Sequence, residues 1–312
     1  MEYIIGIDGG GSETEVAFFP EEDLHNPVQV NYGSGSNPRS VGYDQSASVI
    51  ASIVEKGMKQ QRIAPESIVG VGAGIAGAGR AQEQEELMGR LKSLFLDLNI
   101  SENSNIKVSS DSEVALLGAL PPGTRSGMLI ISGTGSNAVG IDEEIFCKSG
   151  GWGHLFGDEG SGYDIGEKVL RRVAKEKDGR SPSSELTEIV LKEVGLEHAE
   201  DLIDHYYRAE DQKREIAALA KPVLEHENLS VVQGILEDIV TELVLHIRSL
   251  HNKMTTRGRD VPIFTAGAIF EHSAFVKEIF RKRVESENLG WLMQAYSSPA
   301  SGAAKLVERR GV

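Results

Sequence analysis

A single cysteine, few aromatic residues and no long apolar run limit what this chain of 312 residues can be. Because Cys147 stands alone, the chain can form neither an internal disulfide nor a cysteine-ligated cluster within one chain. No apolar stretch approaches the ~20 residues that a membrane-spanning helix needs. The N-terminus also lacks a basic segment followed by an apolar one, the mark of a secretory signal. We therefore expect a cytoplasmic protein with no membrane association.

Positive charge is scarce as well. Lys and Arg number 32 against 47 Asp and Glu, which gives a formal net charge of -15. Such a chain has no basic face for nucleic acid or an anionic membrane, so we expect neither as a partner. Its length suits two domains, and Pro121-Pro122-Gly123 is a strong break. We predict one domain over residues 1–120 and a second, enlarged by helices, over residues 121–312.

A short pattern near the N-terminus recurs in the middle of the chain. Residues 4–12 (IIGIDGGGS) and 129–137 (LIISGTGSN) are apolar runs that break into glycines with a hydroxyl residue and then resume as strand-like segments. Each predicts a β-hairpin whose glycine tip exposes backbone N–H groups to an anion. An ordinary turn is the alternative for either one, but the repeat favours a duplicated domain that binds a nucleotide. The predicted phosphate-binding residues are Gly10, Gly11, Ser12, Gly133, Thr134 and Gly135.

Two carboxylates lie at positions suited to phosphoryl transfer. Asp8 directly precedes the first glycine turn, where it would repel a phosphate unless a cation lay between them, so we predict Mg²⁺ bound there. Asp111 follows the predicted strand 106–109, at the carboxyl end where open α/β sheets bind ligands. A capping box in Ser110-Asp111-Ser112-Glu113 would explain Asp111 equally well by position. The need for a base near the acceptor hydroxyl favours Asp111 as the catalytic base.

The densest glycine segment is residues 149–162 (SGGWGHLFGDEGSG), which mixes glycine with Trp, His, Asp and Glu. Such a loop brings backbone close to a ligand while its carboxylates bind hydroxyls; a rigid loop with Asp158 and Glu159 capping the next helix is the alternative. Two further glycine motifs are less specific. Gly72 to Gly77 matches GxGxxG, but we interpret it as a close-packed loop rather than a dinucleotide site. The small residues Ala266-Gly267-Ala268 either leave room for an adenine ring or allow a helix to pack closely on a strand.

Together these motifs resemble the N-acetylglucosamine kinase branch of the BadF/BadG/BcrA/BcrD-type ATPases, within the sugar kinase/Hsp70/actin superfamily. The matching residues span nearly the whole chain in family order, and the run from Gly150 to Ser161 is quite specific. The resemblance implies an α/β fold of two ribonuclease-H-like (actin-like ATPase) lobes hinged around a central cleft. It also implies ATP and Mg²⁺ as cofactors and a last helix that packs back towards the N-terminal lobe. A homodimer formed through the helical second lobe is a further expectation.

The family's site residues fall on named positions of this chain. The resemblance implies Asp111 as the base, and Asn37, Asn137, Gly151 and Asp158 as contacts to the sugar. It implies phosphate contacts at Gly10, Gly11, Ser12 and Thr134, and an adenosine-side glycine at Gly267. Pro38-Arg39 follows Asn37 where the eukaryotic enzymes carry bulkier apolar residues, which leaves the exact sugar open.

The expected activity is the transfer of a phosphoryl group from ATP to the 6-hydroxyl of an amino sugar. N-acetylglucosamine is the first acceptor that we expect. N-acetylmuramic acid (alone or with N-acetylglucosamine) and glucosamine are alternatives, and Arg39 could pair with a lactyl carboxylate. Two other classes remain open: an ATPase that drives a partner protein and a non-catalytic sugar sensor. The lone cysteine disfavours the cluster-bearing activators of the same family, and the absent zinc motif disfavours ROK kinases.

Overall fold

The computed structural model describes residues 1–143 and 145–308. The chain divides into two compact units: unit 1 comprises Met1–Thr124 with Gln294–Val312, and unit 2 comprises Arg125–Met293. Among the described residues, none of the helices is long and apolar enough to cross a membrane.

Unit 1 is built on one five-stranded sheet with helices of its own. Its strands are β1 (Tyr3–Gly9), β2 (Glu13–Pro20), β3 (Gln29–Ser34), β4 (Ile68–Ile75) and β5 (Asn105–Ser109). Its first helices are α1 (Pro38–Val41), α2 (Tyr43–Gln61), α3 (Ala81–Asp97) and α4 (Asp111–Ala119). Apolar residues of β1, β2, β4, α2 and α3 form its main core, because each of these elements presents one apolar face to the others.

Unit 2 has a second five-stranded sheet and most of the helices. The strands are β6 (Ser126–Ser132), β7 (Ser136–Asp142), β8 (Ile145–Gly150), β9 (Pro262–Ala266) and β10 (Trp291–Leu292). The helices are α5 (Gly162–Lys177), α6 (Glu185–Val194), α7 (Leu202–Tyr207), α8 (Gln212–Ala218), α9 (Ala220–Leu224), α10 (Ser230–Lys253), α11 (Ala268–His272) and α12 (Ala274–Ser286). The long helix α10 is central to the core of this unit, where it buries Ile239, Leu243 and Ile247.

The two sheets have the same strand order. In unit 1 the order is β3-β2-β1-β4-β5, and in unit 2 it is β8-β7-β6-β9-β10. In each sheet the first three strands form an antiparallel meander and the last two join in parallel. The repeated pattern in the sequence therefore corresponds to a repeated sheet, which confirms the predicted α/β fold class.

The last helix, α13 (Pro299–Glu308), packs on the sheet of unit 1 through contacts between glycine and backbone. A Cβ atom at Gly6 would overlap the carbonyl oxygen of Ala300, and one at Gly72 would overlap that of Ala303. Gly302 of the helix meets the backbone of α4 in the same way. Glycine is needed at these positions because the helix lies closer to the strands than a side chain would allow.

Two sequence-based assignments differ from the structure. The GxGxxG segment was expected to be a loop from Ala73 onward, but β4 continues to Ile75, so Gly72 and Gly74 are strand residues. A Cβ at Gly74 would overlap the side chain of Val114, so these glycines serve close packing within the unit. The sequence predicts one helix after Ala266-Gly267-Ala268 that continues through Arg283. The structure has two helices there, α11 and α12, because Ser273 caps a new helix by accepting a hydrogen bond from Val276 N at 3.0 Å.

Candidate functional site

The first predicted phosphate loop is a tight turn between β1 and β2. Gly10 N donates to Glu13 O at 2.8 Å, and Gly10 O accepts from Ser36 N at 3.0 Å. Gly11 and Ser12 are exposed at the tip, and a Cβ at Gly11 would meet nothing within 4 Å. The tip thus leaves room for a ligand at the backbone, as the sequence predicts for a phosphate site.

Asp8 and Asp111 form an acidic pair within unit 1. Asp8 lies near the end of the central strand β1, and Asp111 is the first residue of α4. Burial, and then the charges of Asp111 and Glu15, raise the pKa of Asp8 to about 6. Burial also raises the pKa of Asp111. Both carboxylates are thus costly to ionise without a cation or a proton donor nearby.

The hydrogen bonds at the start of α4 show which residue caps this helix. Ser110 is the N-cap and accepts from Glu113 N at 3.2 Å, whereas the Glu113 side chain accepts from Ser109 Oγ instead of completing a capping box. Asp111 Oδ1 accepts the neighbouring backbone N–H of Ser112, at 2.8 Å, and the carboxylate also interacts with its own backbone N–H. Since Ser110 already caps the helix, Asp111 is not needed for that purpose.

Asn37 caps the short helix α1. Its Oδ1 accepts from Arg39 N at 2.9 Å, and a Cβ at Gly77 would overlap that oxygen. Arg39 itself forms an ion pair with Glu83 at 3.0 Å. Asn37 is thus held beside the loop that follows β4. Its side-chain NH₂ group takes no part in the cap.

The second predicted phosphate loop lies between β6 and β7 in unit 2. Gly133 N donates to Gly135 O at 2.9 Å, and the start of α5 joins the loop because Gly162 N donates to Gly133 O at 2.8 Å. Gly267 has a left-handed φ of 96°, and a Cβ there would overlap the carbonyl oxygen of Ser132. Glycine at this position therefore allows the start of α11 to approach the loop.

A cavity of about 540 Å³ opens beside this loop. Its walls come from the β6–β7 turn, the start of α5, and helices α8, α9 and α11, all within unit 2. Small residues form much of the wall, while Arg214 and Lys221 place two cations at it and Glu225 one carboxylate. The lining includes Gly133, Thr134, Gly162, Arg214, Ala217, Ala218, Lys221, Ala268, Ile269 and His272. Size, apolar lining and phosphate loop together suit a nucleoside phosphate.

The predicted sugar-binding residues of unit 2 include two buried oxygen atoms without a hydrogen bond, Asn137 Oδ1 and Asp158 Oδ2. Asn137 lies beside Gly151, whose Cβ position is 3.5 Å from the Asn137 Cβ. Asp158 is only 4% exposed and has a left-handed φ of 65°. Its Oδ1 accepts from Ser136 N at 3.2 Å, next to the phosphate loop. Asp158 Oδ2 has the ammonium group of Lys213 at 2.8 Å, so Asn137 Oδ1 is the acceptor of this pair with no polar partner. Such buried acceptors are rare and indicate a ligand that supplies a donor.

Asp158 does not cap the following helix. Ser161 is the N-cap of α5 and accepts from Asp164 N at 3.2 Å, and Asp164 Oδ2 accepts from Gly160 N at 2.9 Å. The side chain of Asp158 points instead to the phosphate loop and to Lys213. The buried position of this carboxylate therefore has no explanation in helix capping.

Sequence reasoning missed three residues around these loops. Lys213 on α8 places Nζ 2.8 Å from Asp158 Oδ2. His246 on α10 lies beneath the glycine-rich segment: its Nδ1 is 3.1 Å from Ser149 Oγ, and a Cβ at Gly150 would lie 2.7 Å from its Cε1. Arg214 lines the cavity. Nothing in the local sequence distinguishes these residues from ordinary helix-surface residues, because they are far along the chain from the loops that they contact.

Comparison with known proteins agrees with the motifs. A sequence model of the BadF/BadG/BcrA/BcrD ATPase family matches residues 5–307. The chain is 32% identical to the N-acetylmuramic acid/N-acetylglucosamine kinase of Clostridium acetobutylicum over 290 residues, which cover 90% of each protein. It is 29% identical to the N-acetyl-D-glucosamine kinase of Dictyostelium discoideum, with 98% of this chain and 97% of that one covered.

Solved structures show the same fold. A protein from Chromobacterium violaceum, provisionally named N-acetylglucosamine kinase, superimposes with a TM-score of 0.74 at 23% identity, covering 98% of this chain and 99% of that one. A ROK glucokinase from Streptomyces griseus superimposes with a TM-score of 0.60 at 12% identity, covering 99% and 100%. These similarities confirm the actin-like ATPase fold of the sugar kinases. With the match of the family model over nearly its whole length, the chain belongs to the BadF/BadG/BcrA/BcrD ATPase family.

Proposed function

We propose that this protein is an ATP-dependent amino-sugar kinase that phosphorylates the 6-hydroxyl group, with N-acetylglucosamine as the acceptor. The observation that carries the proposal is the buried Asn137 Oδ1, which makes no hydrogen bond, beside the buried carboxylate of Asp158, whose Oδ2 is paired with Lys213 Nζ at 2.8 Å. A sugar hydroxyl would satisfy Asn137 Oδ1, and the phosphate loop is next to Asp158. The kinase names of the relatives from Clostridium acetobutylicum and Dictyostelium discoideum support the same class of reaction.

In this proposal Asp111 accepts the proton of the 6-hydroxyl. The sugar oxygen attacks the γ-phosphorus, and the bond from that phosphorus to the bridging oxygen breaks to release ADP. Burial favours Asp111 in this role because its raised pKa brings it closer to the pH at which a base works. The proposed sugar contacts are Asn37 in unit 1 and, in unit 2, Asn137, Gly151 and Asp158.

The nucleotide would occupy the cavity of unit 2, with phosphates on the loop Gly133 to Gly135 and adenosine near Gly267. In unit 1, Asp8 would hold Mg²⁺. Among residues 1–143 and 145–308, no cluster of three or more His, Cys, Asp or Glu could hold a metal ion. That fits magnesium, which keeps several waters and takes one or two carboxylates together with phosphate oxygens. The raised pKa of Asp8 also fits a carboxylate that is completed by a cation.

The test is ADP release from Mg-ATP across a panel of sugars: N-acetylglucosamine, N-acetylmuramic acid, glucosamine, N-acetylmannosamine and glucose. We expect strong stimulation by N-acetylglucosamine, with phosphate found on the 6-oxygen of the product. Turnover without any sugar would favour the partner-driving ATPase, and no turnover would favour the sugar sensor. An Asp158→Asn variant should raise the sugar KM with little change in the Mg-ATP KM.

N-acetylmuramic acid is the second candidate acceptor. The guanidinium of Arg39 follows Asn37 in the chain and is well exposed despite its ion pair with Glu83. It could exchange that partner for a lactyl carboxylate. An Arg39→Gln variant should then lose turnover of N-acetylmuramic acid selectively and keep that of N-acetylglucosamine; equal effects on both sugars would exclude this role.

We also propose that the protein acts in the cytoplasm as a homodimer formed through unit 2. Helix α7 carries Ile203 and Tyr207, which lie one turn apart and are 63% and 81% exposed. Sedimentation analysis of the intact protein and of a Tyr207→Asp variant tests this surface. A monomeric parent protein would contradict the proposal.

A further inference from the structure

The Asp158 carboxylate is unusual because it is nearly fully buried at the phosphate loop. Its side chain is 4% exposed, and a Cβ at Gly135 would lie 2.7 Å from Oδ1. Oδ1 has the backbone N–H of Ser136 as a donor at 3.2 Å, but Oδ2 has no hydrogen bond. A buried carboxylate needs a compensating charge and donors, since burial removes its water.

Lys213 supplies that charge. Its Nζ lies 2.8 Å from Asp158 Oδ2, well within ion-pair distance. The Lys213 side chain is 31% exposed, so the ammonium group keeps access to solvent or ligand. In the described part of the chain, Asp158 is the one carboxylate within ion-pair distance of Lys213. The negative charge of the Asp158 carboxylate is thus balanced by a nearby cation. Oδ2 can still accept a hydrogen bond from a hydroxyl group.

The helix that carries Lys213 also borders the nucleotide cavity. The next residue, Arg214, lines the cavity with Ala217 and Ala218 of the same helix. The residue before Arg214, Lys213, contacts the carboxylate predicted to bind sugar. One short helix therefore links the wall of the cavity to the acceptor-binding carboxylate.

We propose that Lys213 is a positioning residue for the acceptor sugar, a role that rests on the proposed kinase function. Its ammonium group neutralises Asp158 and holds the carboxylate so that Oδ2 accepts a hydrogen bond from a sugar hydroxyl. Lys213 acts through Asp158, so its removal weakens sugar binding more than nucleotide binding. The same removal has little effect once Asp158 has lost its charge.

A double-mutant cycle on the full chain tests this role. The variants are Lys213→Met, Asp158→Asn and the two combined, with KM for N-acetylglucosamine and for Mg-ATP measured for each. We expect Lys213→Met to raise the sugar KM at least tenfold and to change the Mg-ATP KM less than threefold. In the Asp158→Asn background the same change should alter the sugar KM less than threefold. Lys213→Arg should restore most of the affinity.

Lys168→Met is the matched control. Lys168 Nζ lies 2.7 Å from Asp164 Oδ1, and the two side chains are 27% and 11% exposed, so this pair has similar burial in the same unit. Loss of that pair should lower thermal stability without changing the sugar KM. The Lys168→Met variant therefore shows what the loss of an ion pair does by itself, without any change in the position of Asp158.

The outcomes are distinct. An unchanged sugar KM in Lys213→Met, or fully additive effects in the double variant, would overturn the role of Lys213 and leave the proposed kinase function intact. If Lys213→Met leaves Asp158 unpaired and does not fold, the double variant, which removes both charges, is compared with Asp158→Asn. A large difference in sugar KM between those two variants would also overturn the role of Lys213. Parent protein that neither turns over nor binds an amino sugar would overturn the proposed function and this role together.

Discussion

Burial and the negative charge of Asp111 together raise the pKa of Asp8 to about 6. One carboxylate lies in the strand before the first glycine turn and the other begins helix α4 of the same unit. Their proximity makes the pair unfavourable without a cation, and the first two predictions follow from it.

Asp111→Asn should lower kcat by about 10²–10⁴-fold, the usual contribution of a general base. Sugar binding should change little, because the amide keeps the oxygen that accepts from Ser112 N. Steady-state kinetics and calorimetric sugar titration measure the two effects. Glu113→Gln, in the same helical turn, is the control and should keep kcat within about fivefold. Near-normal turnover of Asp111→Asn would remove Asp111 as the base.

Asp8→Asn should make the protein more stable at pH 7.5 when no Mg²⁺ is present. The pKa of Asp8 rises from 3.8 to about 6 on folding, so the folded state binds more protons than the unfolded state in that window. The Asp8 contribution to the free energy of unfolding therefore falls as pH rises from 3.8 to about 6, and stays low above it. We expect a gain of about 1–2 kcal/mol for the variant at pH 7.5, which disappears near pH 4.

The same variant tests magnesium. Thermal unfolding with Mg²⁺ and a non-hydrolysable ATP analogue should show a larger stabilisation by the metal in the parent protein than in Asp8→Asn, since only the ionised carboxylate attracts the ion. Equal shifts in both proteins would count against Asp8 as the metal-side residue.

Gly267→Ala should weaken Mg-ATP binding at least tenfold and lower the melting temperature. A Cβ there would overlap the Ser132 carbonyl, so the start of α11 would have to move away from the phosphate loop. Gly179→Ala is the matched control, because Gly179 also has a left-handed φ, of 71°, but open space at its Cβ position. It should cost about 1 kcal/mol and leave the Mg-ATP KM unchanged. Similar nucleotide affinities for the two variants would contradict the steric argument.

Gly72→Ala should destabilise unit 1 by about 3 kcal/mol or more, because overpacking between a strand and a helix forces the backbone to shift. Its Cβ would overlap the Ala303 carbonyl oxygen of α13. Gly89→Ala, at an exposed position inside α3 with nothing near its Cβ, should instead stabilise by about 0.5–1 kcal/mol. Chemical unfolding of both variants gives the comparison, and a tolerated Gly72→Ala would mean that α13 does not depend on this close contact.

The sequence alone determined the repeated hairpins, the α/β class and the family. These follow from local patterns: an apolar strand, a glycine turn and a second strand are all encoded within about 16 residues. The helical spacing of the sequence over residues 41–62, 82–98 and 230–254 predicts helices α2, α3 and α10 to within two residues at each end. The site residues Asn37, Asp111 and Asp158 remain predictions from motif and resemblance.

Only the tertiary structure decided what the remaining glycines and charges contact. Gly74 falls in the loop that the sequence predicts after Gly72, yet it lies in strand β4, where the side chain of Val114 from α4 packs closely on it. Lys213 is an ordinary helix-surface residue by sequence, and its pairing with Asp158 depends on where α8 packs. Local patterns fix the backbone conformation of each segment, whereas contacts between distant segments depend on how the whole chain buries its apolar faces.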